Sequence, residues 1–201
     1  IPVIGMTIIA PALTIIKNDL IISFENTQLI LTLYFTFLAF GQILFGAFSD
    51  KYGRKPILLL GASIYAVSAF FASLSSNIEI LLILRCFQGF GAAACLSVGR
   101  TILSDCYEIK EAAKEMSKMT AIMAVIPISC FIFGGFLAEF LGWRTNLIAL
   151  GLISLILIIA MSLFLNETII KKAKSVSFKN MFVVYQGLIK TISFNFFTIT
   201  T

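Results

Sequence analysis

Apolar residues fill this chain in long runs, and its polar positions are gathered into short breaks between them. Runs from Thr27 to Ser49, Ile57 to Ser75, Ile80 to Leu103, Met119 to Ala138 and Thr145 to Leu165 each reach about 20 residues, the length of helix that crosses ~30 Å of hydrocarbon. A further run, Ile1 to Ile16, is shorter and holds Pro2, Gly5, Pro11 and Thr14, which predicts a kinked first helix whose beginning is cut short. Beyond Asn166 the pattern changes. Phe178, Met181, Phe182, Tyr185, Leu188 and Ile189 recur at helical spacing behind a candidate N-cap, Ser177, among five lysines. The pattern predicts an all-α membrane protein with three parts. Residues 1–165 form a bundle of six transmembrane helices, 166–193 an amphipathic linker, and 194–201 the opening turns of a seventh helix and a second bundle.

Composition agrees with the pattern and removes other classes. Hydrophobic residues make up 59% of the chain, charged residues 12%, and the mean hydropathy is +1.01, whereas a soluble domain carries about 25% charge. The net charge of +5 sits in short loops and the linker, so it reports orientation and gives no nucleic-acid signal. Eleven of the 15 Lys and Arg residues fall on one side of the predicted topology. Short cytoplasmic loops are the ones enriched in these residues, so 50–56, 104–118 and 166–190 are expected to be cytoplasmic, and 17–26, 76–79 and 141–144 outside. The four cysteines, Cys86, Cys95, Cys106 and Cys130, lack the spacing of a metal site or a disulfide framework and read as small packing residues. Histidine is absent, which removes the commonest general base and metal ligand. No catalytic residue, metal ligand or bound cofactor is expected, and an enzyme is disfavoured.

Several polar or small residues inside the runs stand out. Tyr34, Gly41 and Gln42 share one face of the second span, either as part of an aromatic core helix or facing a polar cavity. Arg85 lies about two turns into the fourth span, where an arginine costs on the order of 2 kcal/mol or more unless it faces protein or water; the alternative is snorkelling outward. Gln88 follows it on the same face, and Gly89, Gly91 and Ala92–Ala94 let another helix approach closely. Pro127 and the pair Gly134-Gly135 predict a bent, tightly packed fifth helix. Trp143 is suited to the headgroup belt. Acids and bases alternate from Asp105 to Lys118, with Glu111–Lys114 and Glu115–Lys118 at i,i+3 spacing, as in a solvated helical loop.

The turn between the second and third spans carries the most specific signal. Gly46, Asp50, Lys51, Gly53, Arg54 and Lys55 occupy the pattern Gly-x-x-x-Asp-[Arg/Lys]-x-Gly-Arg-[Arg/Lys] at all six positions. A basic loop obeying orientation rules explains the cations but not the glycines and the aspartate. Gly53 suits a positive-φ helix end and Pro56 the first turn of the next helix. Asp50 conflicts with the negative end of a helix dipole and needs a cationic partner, either Arg54 four residues on or the N-terminus of another helix. The same spacing returns at Gly135, Glu139, Gly142 and Arg144 on the opposite face, as an inverted repeat of three helices plus three would leave it.

This turn resembles the signature loop of the major facilitator superfamily. From Pro11-Ala12-Leu13 to Glu167-Thr168 the chain is further similar to the bicyclomycin-resistance type of drug–proton antiporter, through Tyr34, Gly41-Gln42, Arg85-x-x-Gln88-Gly89, Asp105-x-Tyr107 and Gly134-Gly135. The resemblance implies alternating-access export of a hydrophobic small molecule, driven by the proton gradient, in a bacterial inner membrane. It implies a latch made by Asp50, Arg54 and Asp105, and a proton-coupling role for Arg85, with Gln88, Tyr34 and Gln42 lining a cavity. Two positions depart from it: Thr7 stands where the family has an aspartate, and Cys130-Phe131 where it has Gly-Pro. No carboxylate lies in the middle third of any span. The chain is therefore expected to be about half of a transporter, inactive until a second six-helix half is supplied in cis or trans. The alternatives are a non-transporting fragment of a shortened gene, or a carrier of sugars or other small organic solutes.

Overall fold

The computed structural model describes residues 1–168, so most of the predicted linker and the opening of a seventh helix lie outside the described residues. Five long helices follow a broken first one: α3 (Phe24–Tyr52), α4 (Arg54–Ser73), α5 (Ile78–Cys106), α6 (Ile109–Leu141) and α7 (Trp143–Phe164). All five are long and apolar enough to cross a membrane. The run before them is α1 (Pro2–Thr7), a single 3₁₀ turn (Ala10–Ala12) and α2 (Leu13–Asp19). Pro11 accounts for the break: its ring excludes the carbonyl four residues back and it has no N–H to offer, so α1 ends at Thr7, that very residue.

Caps set the other ends. The Ser23 hydroxyl accepts from the Asn26 N–H at 3.2 Å, and the Asn77 side chain from the Ile80 N–H at 2.9 Å. Single glycines join α3 to α4 and α6 to α7, with φ of 110° at Gly53 and 86° at Gly142. An L side chain is strained in that region, which is why the repeat keeps glycine at both places.

The charged stretch after Asp105 is not a loop. Helix α5 runs through Cys106, α6 begins at Ile109, and only Tyr107 and Glu108 separate them. Good helix formers with the Glu115–Lys118 pair at 2.6 Å carry α6 three turns past the predicted membrane edge, and Glu111–Lys114 is not an ion pair among the described residues.

Helix α5 is the central post, packed between α3 and α4, while α4 also lies along α7. Small residues allow it: a Cβ on Gly41 would meet the Ala93 side chain at 2.7 Å, and one on Gly91 would meet the Tyr65 backbone nitrogen at 2.8 Å. The broken first helix fills the centre, where Ile8, Ile9, Ala12 and Ile16 are buried against Tyr34, Tyr65, Leu81 and Leu147.

Candidate functional site

Three polar clusters interrupt this apolar bundle, one at each end and one within it. The first gathers at the α3–α4 turn. Arg54, whose side chain is 7% exposed, donates from Nη1 to Asp50 Oδ1 at 2.5 Å and to Ser49 Oγ at 2.6 Å, and from Nε to Asp105 Oδ2 at 2.9 Å. Asp50 thus has the cation one turn along its own chain as partner, which answers the dipole conflict, and Asp105 brings the end of α5 to the same guanidinium. The N–H of Arg54, orphaned at the start of α4, donates to Glu167 Oε1 at 2.8 Å, and Lys55 Nζ reaches the Ser162 carbonyl at 2.9 Å. Lys51 lies over the Tyr52 ring at 4.8 Å, and Gly46, on the α3 face towards Ser97, has ordinary room around it.

The second cluster centres on Arg85, which is 0% exposed. Its Nη1 donates to Gln88 Oε1 at 2.7 Å, both terminal nitrogens approach the Gly5 carbonyl at 3.4 Å, and its guanidinium carbon lies 5.3 Å from the centre of the Tyr34 ring. The Tyr34 hydroxyl donates to the Pro2 carbonyl at 2.8 Å. Arg85 therefore does not snorkel. Of the two readings of Tyr34, core residue or cavity lining, its 0% exposure agrees with the first, and Gln88, expected to line a cavity, is also 0% exposed; the side-chain-free Gly5 lets α1 lie against the Tyr34 hydroxyl. Gln42 is half-buried, two turns from Tyr34, and is not among the partners of Arg85.

Close helix approach explains the glycines unequally. A Cβ on Gly89 would run into the Tyr34 backbone, and one on Gly134 would meet Ile8 Cα at 2.8 Å, whereas one on Gly135 would touch only the Pro11 ring at 3.6 Å. Pro127 sits inside α6, half-buried.

Sequence reasoning missed four contributors. Tyr65, 1% exposed, sets its hydroxyl against Gly5 beside Arg85. Asn146, 0% exposed, donates to the Ile8 carbonyl at 2.8 Å and the Gly134 carbonyl at 3.0 Å. The Ile8 carbonyl is free for it because Ala12 N–H bonds Ile9 instead, so Asn146 mends the break that Pro11 causes. An amide inside an apolar run was the available signal. Ser154 similarly donates to the Ala62 carbonyl at 3.1 Å.

Asp19 is the fourth, and it makes the third cluster at the end opposite Arg54. Its Oδ2 accepts from Trp143 Nε1 at 2.9 Å and Arg144 Nη1 at 2.7 Å, and Arg144 Nη2 also donates to the Ser75 carbonyl at 3.2 Å. Those hydrogen bonds, Trp143 first and then Arg144, hold the Asp19 carboxyl below its ordinary range. Trp143, read as suited to a headgroup belt, is 2% exposed within the protein and makes this bond at the bundle end. The two end clusters resemble each other: an arginine within two residues after a positive-φ glycine meets an aspartate at the end of a helix from the other three-helix set, although in the repeat spacing Arg144 matches Lys55 and Arg54 matches Trp143.

Apolar surface surrounds these clusters. A cleft of about 420 Å³ between α3 and α5 is lined by Phe37, Phe40, Ile83, Cys86, Phe87 and Phe90. Among the described residues, no group of three His, Cys, Asp or Glu side chains could hold a metal ion.

Apolar spanning helices around an embedded arginine, with charged ties at the bundle ends, define a multi-pass membrane protein. The chain belongs to the Major Facilitator Superfamily, whose pattern matches residues 3–199. Members of that family are typically carriers, not enzymes. The chain is 31% identical over 156 residues to the bicyclomycin resistance protein homolog of Haemophilus influenzae, covering 78% of this chain and 39% of that one. It is 34% identical over 150 residues to the chloramphenicol resistance protein of Pseudomonas aeruginosa, covering 74% and 36%. The fold matches a bacterial homolog of the human lysosomal transporter Spinster in its inward-facing, unoccupied conformation, with TM-score 0.73, 20% identity, and coverage of 92% of this chain and 46% of that one. The chain thus spans well under half the length of the curated relatives it matches.

Proposed function

We propose that this chain is the first half of a secondary active transporter that exports hydrophobic drugs across a bacterial inner membrane in exchange for protons, by alternating access. The observation that carries this reading is its similarity to two drug-resistance proteins over three quarters of its length, through the part that holds the Arg54 and Arg85 clusters. In this reading Asp50, Arg54 and Asp105 latch the cytoplasmic ends of α3, α4 and α5. Breaking the latch changes the balance between inward and outward states, because a guanidinium buried without its acids is costly. Arg85 sets the charge at mid-bundle. Thr7 brings no acid to it, so the group that carries the proton is supplied by the second half. Rocking two bundles about a midplane site requires both of them.

The test is reconstitution in proteoliposomes, with residues 1–201 alone or together with the part of the Haemophilus influenzae relative that this chain does not match. The expected result is proton-gradient-driven efflux of a fluorescent hydrophobic cation only when both are present, and its loss on Arg54→Ala. Robust efflux by residues 1–201 alone that Arg85→Ala abolishes overturns the two-half reading in favour of a homodimer.

A further inference from the structure

The Arg85 cluster has donors and no negative charge. An arginine stays protonated in a protein, so its charge must be met where it lies. Its partners here are an amide oxygen, a backbone carbonyl and a ring face, all neutral, and among the described residues no Asp or Glu side chain accepts from it. Three further polar atoms around it are buried without a partner: Arg85 Nε, Gln88 Nε2 and the Tyr65 hydroxyl. Their residues are at most 1% exposed. Such groups are rarely left unmet, and this set lacks an acceptor.

The donors are assembled, not scattered. Arg85 and Gln88 project from one face of α5 and are joined by their 2.7 Å bond, while Arg85 and the Tyr65 hydroxyl both close on Gly5, where an added Cβ would strike that hydroxyl. Helix α1, which covers them, carries no ionisable side chain. Arg85 itself is fully covered by the helices of this chain.

We propose that Arg85, Gln88 and Tyr65 form a buried binding site for one small monovalent anion, which supplies the negative charge that none of the described residues brings to the arginine. The single guanidinium sets the valence, and the close cover of α1 sets the size. A halide and the carboxylate of a small organic acid share this chemistry. The site stands independently of what the transporter exports.

The experiment uses residues 1–201 in lipid nanodiscs, with thermal unfolding followed while gluconate is replaced at constant ionic strength by chloride in one arm and acetate in the other. The wild type is expected to gain stability saturably with at least one of them, and the arm that saturates at lower concentration identifies the source. Tyr65→Phe is expected to weaken that half-saturation about tenfold or more, the loss of one hydrogen bond to a charged group. Gln88→Glu places a fixed carboxylate at the oxygen that Arg85 already contacts. It should unfold at a higher temperature than wild type in gluconate and no longer respond to either anion. That variant keeps the test open if Arg85→Gln does not fold. Identical unfolding of the wild type in gluconate, chloride and acetate overturns the site, and so does an anion response of undiminished size in Gln88→Glu.

Discussion

Gly134 and Gly135 are neighbours in sequence and unequal in the structure. A methyl on Gly134 meets the Ile8 backbone, which cannot swing away, whereas one on Gly135 meets only the Pro11 ring at ordinary distance. Gly134→Ala is therefore expected to destabilise by about 1–3 kcal/mol through overpacking, and Gly135→Ala to be near neutral; melting of the two purified variants in detergent checks the contrast. Asp19 offers a prediction with a pH axis. Its folded carboxyl is held below the usual carboxylate range by Trp143 and Arg144, so its contribution to stability is present above that range and is lost as pH falls through the depressed value. Asp19→Asn should lower the unfolding temperature near neutrality and flatten its decline on the acid side; an unchanged acid limb would count against the bond. The sequence made Arg85, Gln88 and the glycines conspicuous, since an ion or a small residue stands out in an apolar run. Asp19 was hidden among other polar loop residues, and its partner lies 124 positions away.

At the scale of elements, the two single-glycine junctions are the clearest trace of the inverted repeat. Gly53 and Gly142 share nearly one backbone conformation, with ψ of 156° and 152°, and each passes the chain directly into the next helix. Gly142 has open space around it, so Gly142→Ala tests backbone strain alone, expected to cost about 1–3 kcal/mol. Gly53→Ala should cost more, because a Cβ there also strikes the Glu167 carboxylate that caps Arg54. Unfolding by denaturant, with the two variants compared side by side, measures the difference. Hydrophobic runs placed four of the five long helices within a few residues, since apolar length is what a bilayer selects. Their ends were less legible: α6 begins ten residues before its apolar run, because soluble helix propensity continues past the point where hydropathy stops. The first helix showed its proline but not the remedy, as Asn146 reaches it from the last described helix.

At the scale of the whole molecule, the end clusters and the lysine distribution make one statement about orientation. Helices α3 to α7 alternate direction, so the Arg54 turn, the α5–α6 junction and Glu167 share one end, where Arg54 binds Asp105 and Glu167. The Asp19, Ser75 and Arg144 tie occupies the other. Lys51, Arg54, Lys55, Lys110, Lys114 and Lys118 all lie at the first end, while Lys17 and Arg144 lie at the second, and Asp19 offsets Arg144 there. A lysine-rich end carried across a membrane would work against the rule that sets topology, so the first end is expected to remain cytoplasmic. The check is labelling of single cysteines in a background without the four native ones. Replacements at Glu25 and Asn77, both exposed, should react with an impermeant thiol reagent in intact cells, and replacements at Lys114 and Lys172 only after the cells are opened. Modification at Lys172 in intact cells would invert the molecule, place the Arg54 latch outside, and remove the proposed direction of export with it.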